Sequence, residues 1–500
     1  MTVQKAKLCI IKSFLGIVLL VLNLGVFMSV KELHKNERPF GIRDKIGYLF
    51  GDFGNDFTFI LSSSFLLKFY TDVMGVDAFV VGIIMMLARF LDGFTDITMG
   101  RICDKSRVTR VGKFKPWIRR MAGPVAIASF LIYQSIFRNY AMWFKILWLA
   151  VTYILWGSVF YTSINIPYGS MASAISREPE DRQSLSTWRT MGATLAGVVI
   201  GAGVPLIVYD TEVLGGSTVT VLNGEKFTLV AGILSILSIA AYLVCYYLTT
   251  ERVLPEADSS ALKKRGVKEM LLAAVKNRAL LSIIFASVVM LLAQLTLQQM
   301  SNYVFPNYYG NAAAMSVSTL AMLIGMTLAA SIAKPLSQKF GKAEISVFSN
   351  LVAAGICVLL FFIRPENVWV YVALNFISWL GLGVFSMVSW ALITDVIDYS
   401  ELKNGIREDG SIYALYSFAR KLGQAASSGL VGFLLTGIGY SDTTQFDKDV
   451  LDGIYNISTL LPALGFLLLA LILWFWYPLH KRQVLENVQR LKELHESKKS

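Results

Sequence analysis

Residues 88–117 read ARFLDGFTDITMGRICDKSRVTRVGKFKPW. The first part is apolar enough to enter a bilayer, yet it carries Arg89, Asp92 and Asp96. Residues three and four apart share one face of a helix, so these three form a single polar stripe. An ionised side chain at membrane depth costs about 2.5–3.5 kcal/mol on insertion scales. Asp92 and Asp96 also repel each other unless a cation or a proton sits between them. The stripe is therefore read as a cation site inside a helix bundle. The second part, from Arg101 on, is a dense basic loop.

The rest of the composition fits that reading. Of 500 residues, 55% are hydrophobic and only 16% are charged, where a soluble domain carries about 25% charged residues. Repeated apolar runs near the length of a membrane span indicate a polytopic membrane protein. Lys and Arg outnumber Asp and Glu by 46 to 34, a formal net charge of +12. The basic residues cluster in short loops between apolar runs, which is the positive-inside signal and not a nucleic-acid footprint. Cys9, Cys103, Cys245 and Cys357 form no C-x-x-C pair and imply neither a disulfide nor a zinc site. His34, His480 and His495 lie outside the apolar runs, which argues against a histidine-based metal or nucleophile site in the bundle. No H-E-x-x-H, G-x-S-x-G or Walker-type motif is present. The chain is read as a non-enzyme without a cofactor, and any uphill transport must draw on an ion gradient.

In chain order, residues 1–41 form an N-terminal extension with an apolar run, Ser13 to Val30. That run is read either as an extra helix or signal anchor, or as an upstream-start artefact with Met28 as the translation start. Residues 42–249 form a first six-helix bundle, with spans near 46–70, 79–101, 117–137, 143–170, 188–209 and 228–249. A basic middle loop, 250–277, faces the cytoplasm. Residues 278–477 form a second bundle, with spans near 278–305, 315–338, 345–363, 368–394, 411–436 and 455–477. Residues 478–500 are a cytoplasmic tail, and both ends of the twelve-span unit lie inside. GRICDKSRVTRVGKF after the second span and KPLSQKFGKAEI after the eighth share a Gly-Lys step among basic residues. Such weak similarity between halves marks transporters built from two repeats around a mid-membrane site.

Polar residues in the spans supply the candidate site. In the first span Asp52, Asn55 and Asp56 fall within about one turn. Asp52 is near the cytoplasmic end, where a cap or interface contact explains it. Asp56 is deeper, and a carboxylate facing a cavity suits a sugar because it accepts from two adjacent hydroxyls. In the fourth span Thr162, Asn165 and Gly169 share a face, and Pro167 is expected to interrupt the ladder and free carbonyls for a polar cavity. Thr162 and Asn165 offer neutral oxygens of the kind Na⁺ accepts; a structural kink is the plainer reading. Arg189 either snorkels or contacts substrate. Gln294, Gln298, Gln299 and Asn302 either glue helices or line a pathway. Arg420 and Lys421 lie well into the eleventh span, and Lys421 either balances the acidic site or pairs with a neighbour.

Four segments resemble the glycoside–pentoside–hexuronide:cation symporter family, the branch of the major facilitator fold that includes melibiose permease. They are GYLFGDFGNDF with FYTDVMGV, ARFLDGFTDITMGRICD with GKFKPW, INIPYGSMASAIS, and TDVIDYSELKNGIREDGSIYALYSFARKLGQA. The resemblance runs from about Ile42 to the tail. It implies an all-α membrane protein with the twelve-transmembrane-helix major facilitator fold, in two six-helix halves, in the bacterial inner membrane. The implied activity is H⁺- or Na⁺-coupled import of a glycoside, pentoside or hexuronide by alternating access. By position, Asp92, Asp96 and Thr162 match the family's cation site, and Asp92 and Asp96 would be the metal ligands if Na⁺ is the coupling ion. Asp56 and Arg189 match sugar-contacting positions, and Asn55, in place of a lysine, Asn165, and Lys421, which matches the lysine between the two sites, complete the expected substrate-binding set. Asn165 stands where melibiose permease has a third carboxylate, which makes H⁺ an alternative to Na⁺. Gly169 replaces a sugar-stacking tryptophan, which disfavours α-galactosides. The partners implied are a small-molecule sugar and membrane lipid, with no nucleic acid and no obligate protein partner. A lipid or lysolipid carrier on the same fold, or a membrane sugar sensor that moves nothing, are the alternatives.

Overall fold

The computed structural model describes residues 38–214, 217–253, 277–404 and 409–497. The apolar run from Ser13 to Val30, Met28 and most of the middle loop lie outside the described residues.

Among the described residues, a helical segment stands at or near each expected span. The segments are α1 Ile42–Asp72, α2 Ala78–Lys105, α3 Lys115–Ile132, α4 Met142–Ile175, α5 Pro179–Val208, α6 Gly224–Leu248, α7 Arg278–Tyr308, α8 Ala312–Phe340, α9 Lys342–Ile363, α10 Val368–Asn404, α11 Asp409–Gly437 and α12 Lys448–Trp476. Nine of these, among the described residues, are long and apolar enough to cross a bilayer. Of the other three, α1 carries more charge, α3 is short, and α11 is rich in Ser, Gly and other weakly apolar residues. A last helix, α13 Lys481–Ser497, is polar.

Local chemistry sets several helix starts. Asn223, Asn277 and Asn311 cap α6, α7 and α8, each side chain accepting from backbone N–H groups of the first turn. Prolines open α3 and α5, where a missing N–H costs nothing. α10 runs to Asn404, beyond the expected 394, because its polar end, TDVIDYSELKN, stays helical past the apolar run. Among the described residues, one element departs from an all-α chain. Tyr209–Leu214 and Ser217–Leu222 form strands β1 and β2 of a hairpin in the loop between α5 and α6. Their alternating Thr and Val residues favour extended backbone.

The described residues divide into two compact units. The first holds 38–69, Leu91–Val208 and 222–253; the second holds Tyr70–Phe90, Tyr209–Val221 and the described residues from Asn277. Tyr70–Phe90 thus groups with the second unit. Contacts within the second unit explain this: Tyr440 donates to Asp72 over 2.7 Å, and Gly82 and Gly432 pack backbone to backbone.

In the first unit the basic loop between α2 and α3 is folded onto one carboxylate. Glu251 accepts backbone N–H groups of Lys113, Phe114 and Lys115 at 2.7–2.9 Å. Those donors are the otherwise unsatisfied N–H groups of a helix start. Gly112, at φ +118, makes the turn that leaves room for the carboxylate. In the second unit Gly341, the glycine of the matching Gly-Lys step, has φ +109, and Glu344 accepts from the Lys481 N–H over 2.9 Å. Both loops are thus tied through a carboxylate to the chain that follows the sixth helix of their half.

Candidate functional site

The Asp92–Asp96 pair meets a matching pair on α4. Ser158 donates to Asp92 Oδ1 over 2.6 Å, and Thr162 donates to Asp96 Oδ1 over 3.0 Å. Both pairs are spaced by four residues, so two helix faces meet in register. Asp92 and Asp96 are half-buried. Ser158 and Thr162 are buried. Ser158 lies in a π-helical stretch, Leu155–Tyr161, a departure often found at functional sites. The Thr162 hydroxyl also lies 3.2 Å from the Gly157 carbonyl. The irregular turn thus precedes Pro167, which sits buried inside regular α-helix. The carbonyl brought to the site is that of Gly157, and none beside the proline. Two carboxylates, two hydroxyls and a carbonyl form an all-oxygen cluster of the type hard cations prefer. Among the described residues no group of three His, Cys, Asp or Glu side chains gathers, so Na⁺ here would depend on the neutral oxygens.

The second cluster lies where α1 meets α4, α5 and α6. Asn55, 2% exposed, donates to Tyr161 Oη over 3.0 Å and to Asn165 Oδ1 over 3.1 Å, while Tyr242 donates to its Oδ1 over 3.0 Å. Both amide ends are engaged by protein. Asn165 is held on the same hub. Tyr161 and Thr162 are chain neighbours, so the π-helical stretch and its first α turn touch both clusters.

Asp52 is not a superficial cap. It is 5% exposed and accepts from Arg189 Nε over 3.0 Å. The Arg189 guanidinium also lies 5.3 Å from the Tyr168 ring centre. Arg189 thus turns inward. Tyr48 and Tyr168 stack at 4.6 Å and exchange hydrogen bonds, each hydroxyl donating to the other's backbone carbonyl at 3.3 and 2.6 Å. Asp56 is half-buried and has no hydrogen-bond donor from protein among the described residues. Both of its oxygens keep open acceptor capacity.

Lys421 lies half-buried on α11 of the second unit, next to Arg420. Gln294 and Gln298 are half-buried while Gln299 and Asn302 are buried, so the four amides do not form one exposed face. Sequence reading had no place for Ser158, although its spacing from Thr162 equals that of Asp92 from Asp96. It also undervalued Asp52, whose partner is 137 residues away.

Residues 47–481 match the model of one family, described as MFS/sugar transport protein. The chain belongs to the MFS/sugar transport protein family. It is accordingly an integral, multi-pass membrane protein of the major facilitator fold. It is similar to the glucuronide carrier protein homolog of Escherichia coli (strain K12), with 28% identity covering 89% of this chain and 94% of that one. It is also similar to the isoprimeverose transporter of Lactiplantibacillus pentosus, with 28% identity covering 89% and 90%. The crystal structure of a D-xylose-proton symporter shares the fold at 14% identity, with a TM-score of 0.58 over 87% of this chain and 97% of that one.

Proposed function

We propose that this family member is a cation-coupled symporter of the inner membrane that imports a sugar glycoside, pentoside or hexuronide. The observation that supports this best is the double duty of α4. Ser158 and Thr162 bond the paired aspartates, and Tyr161 and Asn165 bond Asn55, the neighbour of the open carboxylate Asp56. Ion binding at Asp92 and Asp96 removes their mutual repulsion and resets α4. Through Asn55 that change reaches the position of Asp56. Coupling of this kind is reciprocal, so the cation tightens sugar by the factor with which sugar tightens the cation. Asp56 accepts sugar hydroxyls, and Arg189, oriented by Asp52 and Tyr168, donates to sugar oxygens. Cargoes named for the two relatives, a glucuronide and isoprimeverose, keep both acidic and neutral sugars in view. H⁺ is the favoured coupling ion, because Asn165 supplies no third carboxylate and its oxygen is engaged by Asn55.

Counterflow in proteoliposomes with a glycoside panel, run with and without Na⁺ at two pH values, tests the reading. Asp92→Asn is expected to abolish gradient-driven accumulation while expression stays intact. Normal sugar-driven cation uptake in that variant rejects the role. A lysolipid moving in place of every sugar rejects the substrate class.

A further inference from the structure

Arg420 is a charge of the second unit with a buried, unpartnered donor. It stands eleven residues into α11, about 17 Å along the helix from Asp409 and about 26 Å from Gly437. Neither end of the helix is near it. Its guanidinium carbon lies 5.5 Å from the Trp390 ring centre and 5.8 Å from that of Tyr416. The two rings meet nearly at right angles, at 78° and 5.2 Å, and so form a corner. Tyr416 is fixed by the Ser287 hydroxyl at 2.8 Å. Trp390 is 40% exposed.

Within this corner Nη1 is buried and has no hydrogen-bond partner. Among the described residues, Arg420 makes no ion pair and no hydrogen bond at its other nitrogens. Asp395, on the same helix as Trp390, is already held by Lys342 at 2.6 Å. Cation–π contacts recover only part of what a guanidinium loses on leaving water. A charge kept well inside a helix of the bundle, without a protein partner among the described residues, points to a functional site. The residue is half-buried, and the parallel N–H donors of a guanidinium match two oxygens of a carboxylate or sulfonate. A neutral hydroxyl supplies no compensating charge.

We propose that Arg420, framed by Trp390 and Tyr416, binds the acid group of an anionic sugar and sets a preference for acidic over neutral glycosides. This rests on the sugar-symport reading above and narrows its substrate class.

The test uses the full chain in proteoliposomes with methyl β-glucuronide and methyl β-glucoside, which differ by a carboxylate against a hydroxymethyl group. The wild type is expected to favour the glucuronide by at least about tenfold in counterflow, and Arg420→Gln to lower the acid-to-neutral ratio by at least about tenfold. Arg420→Lys, which keeps the charge and loses the fork, should fall between. A second measurement needs no variant. The methyl ester of the glucuronide, uncharged, should compete with labelled glucuronide far more weakly than the free acid does. An unchanged ratio in folded Arg420→Gln, or an ester that competes as well as the acid, overturns the proposal. Preference of the wild type for the glucoside overturns it as well, while leaving sugar symport standing. A folded wild type that moves neither sugar overturns the symport reading, and this assignment with it.

Discussion

Ser158 on α4 donates its hydroxyl to Asp92 on α2 over 2.6 Å, and one turn on Thr162 repeats the contact with Asp96. A hydroxyl facing each carboxylate gives an ionised aspartate a partner inside the bundle. It also leaves neutral oxygens in place when a cation arrives. The contact therefore has consequences for ion affinity.

Ser158→Ala removes the donor and leaves Asp92 in place. Hydrogen bonds to charged groups are worth about 1.5–3 kcal/mol, so the cation activity for half-maximal sugar uptake should shift by about tenfold or more. Initial uptake rates against Na⁺ and against pH identify which ion responds. A variant with wild-type dependence on both ions removes Ser158 from the site.

The Asp52–Arg189 pair is predicted to act as a unit. Losing one partner of a buried pair costs about 3–5 kcal/mol, discounted here because the Arg189 side chain is 39% exposed. Asp52→Asn and Arg189→Gln should each reduce sugar uptake by more than about tenfold, and the double variant by much less than the product. Strict additivity of the two effects in a double-mutant cycle contradicts this coupling.

Tyr242→Phe leaves the buried Asn55 Oδ1 without its donor. An unsatisfied buried acceptor costs about 1–3 kcal/mol. The detergent-solubilised variant should melt at a lower temperature, and sugar affinity should weaken because the amide beside Asp56 loses its fixed orientation. Unaltered melting and affinity together show that the hub does not position Asp56.

Glu251 carries a pH signature outside the spans. Burial holds its carboxyl above the ordinary glutamate value, and the three backbone N–H groups draw it part of the way back. A raised value in the folded chain means stability that is present below the unfolded value and lost as pH rises through the folded one. The window opens at the ordinary value, about 4.3, and extends upward. The melting temperature of wild type minus that of Glu251→Gln should therefore grow as pH is lowered toward 5 from about 7. A difference that narrows on acidification refutes the assignment. Glu251→Ala, which strands three donors at the start of α3, should be less stable than either at every pH.

Helix positions were legible along the chain because a membrane span is a local property. Apolar length, flanking Lys and Arg, and cap residues such as Asn223 and Asn311 all act within a few residues of the element they define. The paired aspartates were legible for the same reason, since a spacing of four places both on one face whatever surrounds them. The hairpin at β1 and β2 was missed because its strands gain their support from the rest of the second unit, as when Thr220 donates to the Gly310 carbonyl over 2.8 Å.

Partners could not be read in this way. The four-residue spacing from Thr162 is too common to single out Ser158; its contact with Asp92 follows from the register in which α4 lies against α2. Asp52 looks like a surface acid until Arg189 closes on it from another helix. Asn55, placed by resemblance among the sugar ligands, proves to be enclosed by Tyr161, Asn165 and Tyr242. Linear order settles which residues must be hidden from lipid, because the cost of exposing each belongs to that residue alone. Which of them meet depends on packing between helices distant in the chain, and that only the folded bundle decides.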